Sequence, residues 1–455
     1  MTNMEKLVQT YEFIKSKKNI IIEIYGLGYV GFPLCVRLSK NGFKVIGIDI
    51  NSMRIDRLKN NNLFDSELHL KDEFLQSREN GFLELSNSPI ISELSKIGII
   101  CVPTPIPGEN IESDIFVKDA VENFLKCAKS GDMIILESSI EVGTTEKIKD
   151  IIESKGFKIG LDFGLGFCPE RIDPDNKEWH IENIPRVIYC TDETSYQIAK
   201  EVYKFVNNAN LIPVDSAKVA EIVKSFENAF RLVNISLVNE LAILCDKLGI
   251  NVKNVIDAAA TKPFAFLPHY PGAGAGGHCI PKDPRFLLES SKKVHTSFTT
   301  IENALRINTL MPTYIVNSIN DTFEKMNLSK TILVCGLTYK ANVEDMRDSS
   351  SFKIITELNN KGFKVYGFDP FFNIKFLDKY LIENNLREIN FEVVDNLKDD
   401  NLVKINAICI VQHHDELKIR INEIYEKSIV KFIYDCQNKI KKNNKCNTVL
   451  DCLGN

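Results

Sequence analysis

The residues best suited to chemistry gather first around Cys279, in the segment GAGAGGHCIPKDP from Gly272 to Pro284. Four glycines stand in the eight residues before the thiol, and an acid, Asp283, follows four residues after it. Glycine lacks a side chain, so its backbone reaches dihedrals closed to other residues and lets a ligand come to van der Waals contact. Two readings follow. A thiol approachable from several sides is a candidate nucleophile, and a thiol closing a surface turn is a small packing residue. His278 invites a Cys–His pair, but adjacent side chains commonly point apart.

A second group is Gly26-Leu27-Gly28-Tyr29-Val30-Gly31, a G-x-G-x-x-G between an apolar run and a helix-length segment. In that context the first glycine permits the tight turn and the second lets a pyrophosphate approach. The helix N-terminus adds free N–H groups and partial positive charge. Asp49 ends the next strand, 18 residues beyond Gly31. A carboxylate there accepts hydrogen bonds from ribose hydroxyls and repels a 2′-phosphate, which favours NAD over NADP. Arg54 either lies along the adenosine or is a solvated helix charge.

Lys224 and Asn228 are one helical turn apart and project to one face. Two fixed donors suit a site where negative charge develops on oxygen; a solvated lysine beside a capping or buried amide is the plainer alternative. Glu170 follows Cys168-Pro169 at a strand's C-terminal end, where α/β sheets bind ligands, unless it is a surface acid. Ser138 and Ser139 end another strand and can donate or accept near a cofactor.

The elements that must position these groups alternate in type. Residues 4–16 form a short amphipathic helix, and IIEIYGLGYVGFPLCVRLSKNGFKVIGIDI reads strand, turn, helix, strand. Buried strands are expected at Ile97–Val102, Met133–Glu137, Leu161–Phe167 and Arg186–Cys190, building a doubly wound sheet. From Ser216 to about Leu248 apolar residues recur at three- and four-residue steps, from Val219 and Ile222 to Leu241 and Leu244. That pattern predicts a long spine helix whose stripe is core by default and a dimer surface by alternative. Helical sequence continues after Asn254 and over Thr299–Asn327. At Lys330 the alternation restarts with TILVCGLTYK, a helix over Ser351–Lys361, FKVYGFDP, and strands at Ala407–Gln412 and Val430–Asp435.

The expected fold is therefore α/β: two Rossmann-like doubly wound domains joined by a central helical domain. The expected boundaries are an N-terminal helix at 1–19, a dinucleotide domain at 20–212, a helical domain at 213–328 and a second α/β domain at 329–455. The last has Gly336 alone where the first has three spaced glycines, so it need not bind a dinucleotide.

Composition fits a soluble globular enzyme, with 455 residues, 44% hydrophobic, 26% charged and a net charge of −5. Mild acidity argues against nucleic acid or an anionic membrane as the main partner. The first twenty residues carry scattered charges rather than a leader's apolar core, and no uninterrupted apolar run reaches spanning length. The twelve cysteines contain no C-x-x-C pair. They fit neither a zinc site nor a disulfide framework and point to reduced thiols in the cytoplasm. Cys101, Cys335 and Cys409 lie in strand-like runs and read as packing residues.

Taken together the motifs resemble the UDP-glucose/GDP-mannose dehydrogenase family over almost the whole chain. The resemblance rests on GLGYVG, Val102–Pro105, Glu137–Thr145, Cys168–Arg171, Lys224 with Asn228, GGHCIPKDP and Leu337–Ser351. The wording NAFRLVNISLVNEL, KPFAFLPHYPG and PERIDP is most similar to the branch acting on UDP-N-acetylhexosamines, above all UDP-N-acetylglucosamine 6-dehydrogenases. The resemblance implies a four-electron oxidation of the sugar C6 alcohol with two NAD+, for surface polysaccharide or glycan precursors. It implies Cys279 as the nucleophile, Lys224 and Asn228 at the oxyanion, Asp283 orienting Lys224 or activating water, and Glu170 as general base with Ser139. It gives NAD to Gly26, Gly28, Tyr29, Val30, Gly31, Asp49, Arg54, Thr104, Ser138 and Arg347. It gives the sugar nucleotide to Glu170, Arg171, Lys224, Asn228, Tyr270, Gly276 and Lys340, and it implies a homodimer through the helical domain.

Three positions depart from the family's pattern: Ser139 replaces a usual threonine, Pro174 replaces a second acid found in some members, and Gln437 stands where an arginine usually meets substrate. Glutamine hydrogen-bonds without bringing charge. UDP-N-acetylmannosamine, UDP-N-acetylgalactosamine and UDP-glucose are the alternative substrates. A two-electron hydroxyacid dehydrogenase would need neither Cys279 nor residues 330–455, and a non-catalytic nucleotide-sugar sensor would not need the full set around Cys279.

Overall fold

The computed structural model describes residues 3–106, 112–173, 176, 178–208, 210–277, 279–371, 381 and 389–455. His278 and Pro174 lie outside them. The chain divides into two compact units, Met1–Glu227 with Arg285–Ser297, and Asn228–Pro284 with Phe298–Asn455.

In the first unit the strands are β1 (Ile20–Tyr25), β2 (Lys44–Ile48), β3 (Leu83–Ser86), β4 (Ser95–Ile100), β5 (Met133–Leu136), β6 (Gly164–Phe167), β7 (Arg186–Cys190) and β8 (Leu211–Pro213). Among the described residues they form one sheet in the order β3-β2-β1-β4-β5-β6-β7-β8, parallel except for the antiparallel β6–β7 pair. β1, β4, β5 and β6 are buried along their whole length, as expected of parallel strands covered by helices on both faces, which read as unbroken apolar runs. The N-terminal helix Asn3–Ser16 is part of this unit. Leu7 and Ile14 enter its core, and the Thr10 hydroxyl lies 2.6 Å from the Gly131 carbonyl.

The second unit carries β9 (Thr331–Cys335), β10 (Lys364–Phe368), β11 (Glu392–Val393), β12 (Ala407–Ile410), β13 (Phe432–Asp435) and β14 (Val449–Cys452), ordered β11-β10-β9-β12-β13-β14 and parallel throughout. The order 3-2-1-4-5-6 is that of a doubly wound dinucleotide fold, so both sheets have the expected doubly wound topology, although the second carries Gly336 alone where the first has three spaced glycines. The C-terminal tail closes this unit. Leu453 packs with Val238, Ala242, Val252 and Met311, and Val252 N–H donates to the Gly454 carbonyl at 2.7 Å.

The spine helix runs from Ala217 to Leu248, but its stripe does not lie where the default expectation put it. Val219, Ile222, Phe226, Phe230, Leu237 and Leu244 are exposed, Leu237 by 61%. The buried face holds mostly small and amide residues, Ala220, Ser225, Asn228, Ala229, Ser236, Asn239 and Ala242, with Leu232 and Val238 among them. Small and amide residues allow close packing and supply hydrogen bonds inward, and they leave most of the larger apolar side chains exposed or half-buried. Among the described residues this is also the one helix long and apolar enough to cross a membrane. It carries charges at Lys218, Glu221, Lys224 and Glu227 and buries polar residues along one face, a pattern that suits packing in protein.

Candidate active site

The Gly26–Gly31 turn joins β1 to the helix Gly31–Lys40 and is built so that two of its three glycines are obligatory. Gly26 has φ +88°, and a Cβ there would sit 2.8 Å from the Cys101 carbonyl oxygen. At Gly31 a Cβ would fall 1.9 Å from the Gly26 oxygen. Gly28 differs, since a Cβ on it meets nothing within 4 Å. The turn is thus packed from behind and open in front, at a helix N-terminus that no side chain caps. This is the geometry that admits a pyrophosphate, and the residues fit NAD.

Asp49 follows β2 and accepts the Leu27 N–H at 2.9 Å, while its other oxygen accepts the Asn51 N–H. Its carboxylate is therefore fixed beside the turn. Tyr29 is exposed at the rim. Arg54 is placed behind the turn rather than along an open surface. It is buried, its Nε donates to the Leu27 carbonyl at 3.0 Å and its guanidinium forks onto Glu67. Thr104 and Ser138 are buried past the ends of β4 and β5, and the Ser138 hydroxyl donates to the Val102 carbonyl at 2.7 Å.

Glu170 lies just past β6. One oxygen accepts the backbone N–H of Arg171 at 2.6 Å and of Ile172 at 2.8 Å; the other pairs with Arg186. Arg186 is fully buried at the start of β7 and also faces Glu137, with Nη1 3.0 Å from Oε2. The Tyr203 hydroxyl donates to Glu137 in turn. Sequence reasoning missed this chain of contacts because its members are far apart and follow no period. Arg171 pairs with Glu227 and donates to the Pro185 carbonyl.

In the second unit the glycine-rich loop is gripped rather than loose. Asn239, fully buried on the spine helix, accepts the Gly272 N–H at 2.9 Å. Asn308, on the helix Thr299–Lys325, accepts the Ala275 N–H at 2.6 Å and returns a bond to the Ala275 carbonyl at 3.0 Å. Ser350 donates to the Gly274 carbonyl, and Gly277 N–H to the Arg347 carbonyl. The glycines are needed for contact: a Cβ on Gly274, at φ +106°, would lie 2.9 Å from the Asn308 oxygen, and one on Gly276 2.6 Å from the Asp348 oxygen. Amides on helices look like surface residues in sequence, so neither asparagine signalled its role. Asn308→Ala is expected to strand the Ala275 N–H and carbonyl and to lower stability by ~1–3 kcal/mol, read as a lower urea midpoint at unchanged slope.

Cys279 emerges from this clamp exposed, the only cysteine of the twelve that does. Burial pushes the Cys168 thiol up to about 12 and holds the Cys101, Cys190 and Cys436 thiols well above their ordinary value. Those thiols stay protonated and unreactive. The Cys279 carbonyl accepts the Asp283 N–H at 2.8 Å, opening the helix Asp283–Lys293. Asp283 is fully buried and accepts from Asn228 Nδ2 at 2.7 Å. The thiol, the acid and the amide are thus held together within one unit. Lys224 is half-buried one turn before Asn228.

The second sheet repeats the Asp49 device at Asp369, which accepts the N–H groups of Leu337 and Thr338 at 2.6 and 2.9 Å. Here a histidine crowds the same oxygen, His414 Nε2 standing 3.0 Å from Oδ2, and the other oxygen accepts the Phe371 N–H at 2.8 Å. Burial alone would raise the Asp369 carboxyl, and His414 with the backbone donors outweighs it and holds it below its usual value. An acid so occupied has little left to offer a ribose. Lys340 is half-buried in this turn, Arg347 is forked onto Asp345, and Tyr270 is exposed with its hydroxyl on Asp257. Gln437 Nε2 donates to Gln412 at 3.0 Å, and its Oε1 has no partner among the described residues.

Three domains of the UDP-glucose/GDP-mannose dehydrogenase family match this chain: the NAD binding domain at residues 20–207, the central domain at 218–310 and the UDP binding domain at 333–442. A UDP-N-acetyl-D-mannosamine dehydrogenase of Methanococcus vannielii is 33% identical over 98% of this chain and 99% of its own length. A UDP-N-acetyl-D-glucosamine 6-dehydrogenase of Pseudomonas aeruginosa is 34% identical over 78% of this chain and 83% of its own. The solved UDP-D-ManNAc dehydrogenase of Pyrococcus horikoshii superposes with a TM-score of 0.81 at 29% identity, over 95% of this chain and 99% of that one.

Proposed function

We propose, for a chain that by these matches belongs to the UDP-glucose/GDP-mannose dehydrogenase family, that it oxidises the C6 alcohol of a UDP-N-acetylhexosamine to the uronic acid. The observation that carries this reading is Cys279, exposed on a loop clamped by buried asparagines and followed by the buried Asp283. The Gly26–Gly31 turn and Asp49, with Thr104, Ser138 and Arg347, would hold NAD+, and two molecules bound one after the other would each accept one hydride from the sugar C6. Glu170 accepts the proton of the C6 hydroxyl, directly or through a water held by Ser139. The Cys279 thiolate adds to the aldehyde carbon, and Lys224 with Asn228 stabilises the oxyanion of the thiohemiacetal. Loss of the second hydride leaves a thioester. Water, steered by Asp283, cleaves its C–S bond and returns the thiol. Arg171, Tyr270, Gly276 and Lys340 are assigned to the sugar nucleotide.

UDP-N-acetylmannosamine is the first expected substrate, since the relative named for it matches this chain from end to end. UDP-N-acetylglucosamine, the epimer expected from the motif wording, is the second reading and is supported by the Pseudomonas aeruginosa relative. The exposed stripe of the spine helix, with Phe226 and Leu244 each 54% exposed, is assigned to a second copy of the chain. All twelve cysteines are free thiols, which suits a cytoplasmic setting.

The test is NADH release with UDP-N-acetylmannosamine, UDP-N-acetylglucosamine, UDP-N-acetylgalactosamine and UDP-glucose. Two NADH per sugar are expected, with one N-acetylhexosamine preferred over UDP-glucose by ~10-fold or more in kcat/KM. One NADH per sugar would overturn the four-electron reading, and binding without turnover would make the protein a sensor.

A further inference from the structure

The buried contacts behind Glu170 do more than hold the strands together. Two carboxyl groups, those of Glu137 and Glu170, face the single guanidinium of Arg186. Glu137 and Arg186 have fully buried side chains, while the Glu170 side chain keeps 10% exposure past the end of β6. A buried guanidinium cannot shed its proton, and against the cost of burial the neighbouring Glu137 raises its proton affinity further. The groups facing it from the packed elements are Glu137 past β5, Tyr203 on the helix Glu193–Asn207, Cys168 past β6 and Cys101 past β4. The tyrosine and both thiols are held neutral by burial. Arg171, next to Glu170 in sequence, is paired with Glu227. Among the described residues Arg186 is therefore the one cation that the Glu170 side chain contacts, and Glu137 competes for it.

We propose that Arg186 is a positioning residue for Glu170: it keeps that carboxylate ionised and pins one oxygen. The two backbone N–H groups pin the other, and Glu137, anchored by Tyr203, sets how much of the guanidinium's charge Glu170 receives. The proposal rests on Glu170 acting on the C6 hydroxyl, and it extends that reading to how the acid is tuned. The contact geometry gives the arrangement a direction. Weakening the cation raises the proton affinity of Glu170, and removing the competing carboxyl lowers it.

The experiment compares wild type with Arg186→Lys, Arg186→Met and Glu137→Gln, using two readouts. One is the acid limb of kcat/KM against pH. The other is the carboxylate infrared band of Glu170, isolated by difference against Glu170→Gln and titrated without substrate. Both are expected to move to higher pH in Arg186→Met by roughly one unit or more, by less in Arg186→Lys, and to lower pH in Glu137→Gln. Opposite shifts from two neighbouring buried residues are not a consequence of general destabilisation. Arg186→Lys and Glu137→Gln keep the test open should Arg186→Met not fold. A Glu170 band that moves in no variant overturns the proposal. So does a band that moves while the kinetic limb stays fixed, since the pair is then purely structural. If the wild type oxidises no nucleotide sugar, the functional reading falls, and the infrared titration still decides whether Arg186 governs Glu170.

Discussion

Cys279→Ala is expected to lose acid formation by at least ~10⁴-fold, the scale on which removal of a covalent nucleophile acts. The reason is positional as much as chemical. The loop is fixed by Asn239, Asn308 and Ser350, and at Gly274 and Gly276 the backbone runs too close to its neighbours to tolerate even a Cβ. The thiol therefore has a defined place, and alanine there leaves the place intact while removing the sulfur that must bond to the aldehyde carbon. Because residue 279 is exposed, the substitution should cost no more than ~0.5 kcal/mol of stability, and the NAD+ affinity should match wild type. Cys279→Ser is expected to stall at a different point. An alkoxy ester hydrolyses less readily than a thioester, so the serine variant should accumulate a sugar adduct visible in the intact mass. The exposed thiol should also be the first of the twelve to react with iodoacetamide, and prior NAD+ and nucleotide sugar should slow that labelling. An alanine variant that still makes acid with two NADH per sugar would remove Cys279 from the mechanism.

Much of the scaffold around this thiol could be read from residue patterns, and the exceptions share a physical cause. Parallel strands covered on both faces leave unbroken apolar runs, so Met133–Leu136 and Ala407–Ile410 stood out, whereas the short and partly exposed Leu83–Ser86, Glu392–Val393 and Val449–Cys452 did not. Periodicity located the spine helix to within a residue at its start but could not say which face was inside. A stripe of large apolar residues is the usual core signal, and here the inward face is made largely of small residues and amides, with Asn239 gripping the glycine loop. The Glu137–Arg186–Glu170 contacts left no mark because long-range ion pairs obey neither period. The second sheet's kinship with the first was legible in the strand–helix alternation that restarts at Lys330, and not in its glycines. What the two share is an acid holding the turn's N–H groups, Asp49 at Leu27 and Asp369 at Leu337 and Thr338, and not a string of glycines.

That distinction between holding a turn and opening it to a ligand makes Gly31→Ala the other large effect to expect. A methyl at Gly31 would stand 1.9 Å from the Gly26 oxygen, far inside van der Waals contact, and the atom it meets is backbone. The turn cannot yield by a side-chain rotation. It must open, which moves the helix Gly31–Lys40 and the Leu27 N–H that Asp49 holds. Overpacking of this kind costs ~3 kcal/mol, and if it falls on the binding geometry it weakens NAD+ by about two orders of magnitude, at tenfold per 1.4 kcal/mol. Gly28→Ala supplies the internal contrast. Its methyl would touch nothing in the protein within 4 Å, so its thermal midpoint should stay at the wild-type value while NAD+ affinity falls, because the methyl occupies the space a pyrophosphate needs. The pair is checked by NAD+ titration calorimetry alongside thermal unfolding. Gly31→Ala should lose both affinity and stability, and Gly28→Ala affinity alone. If Gly28→Ala bound NAD+ as wild type does, the pyrophosphate would not lie over this turn. The open side of the glycine turn would then need another occupant.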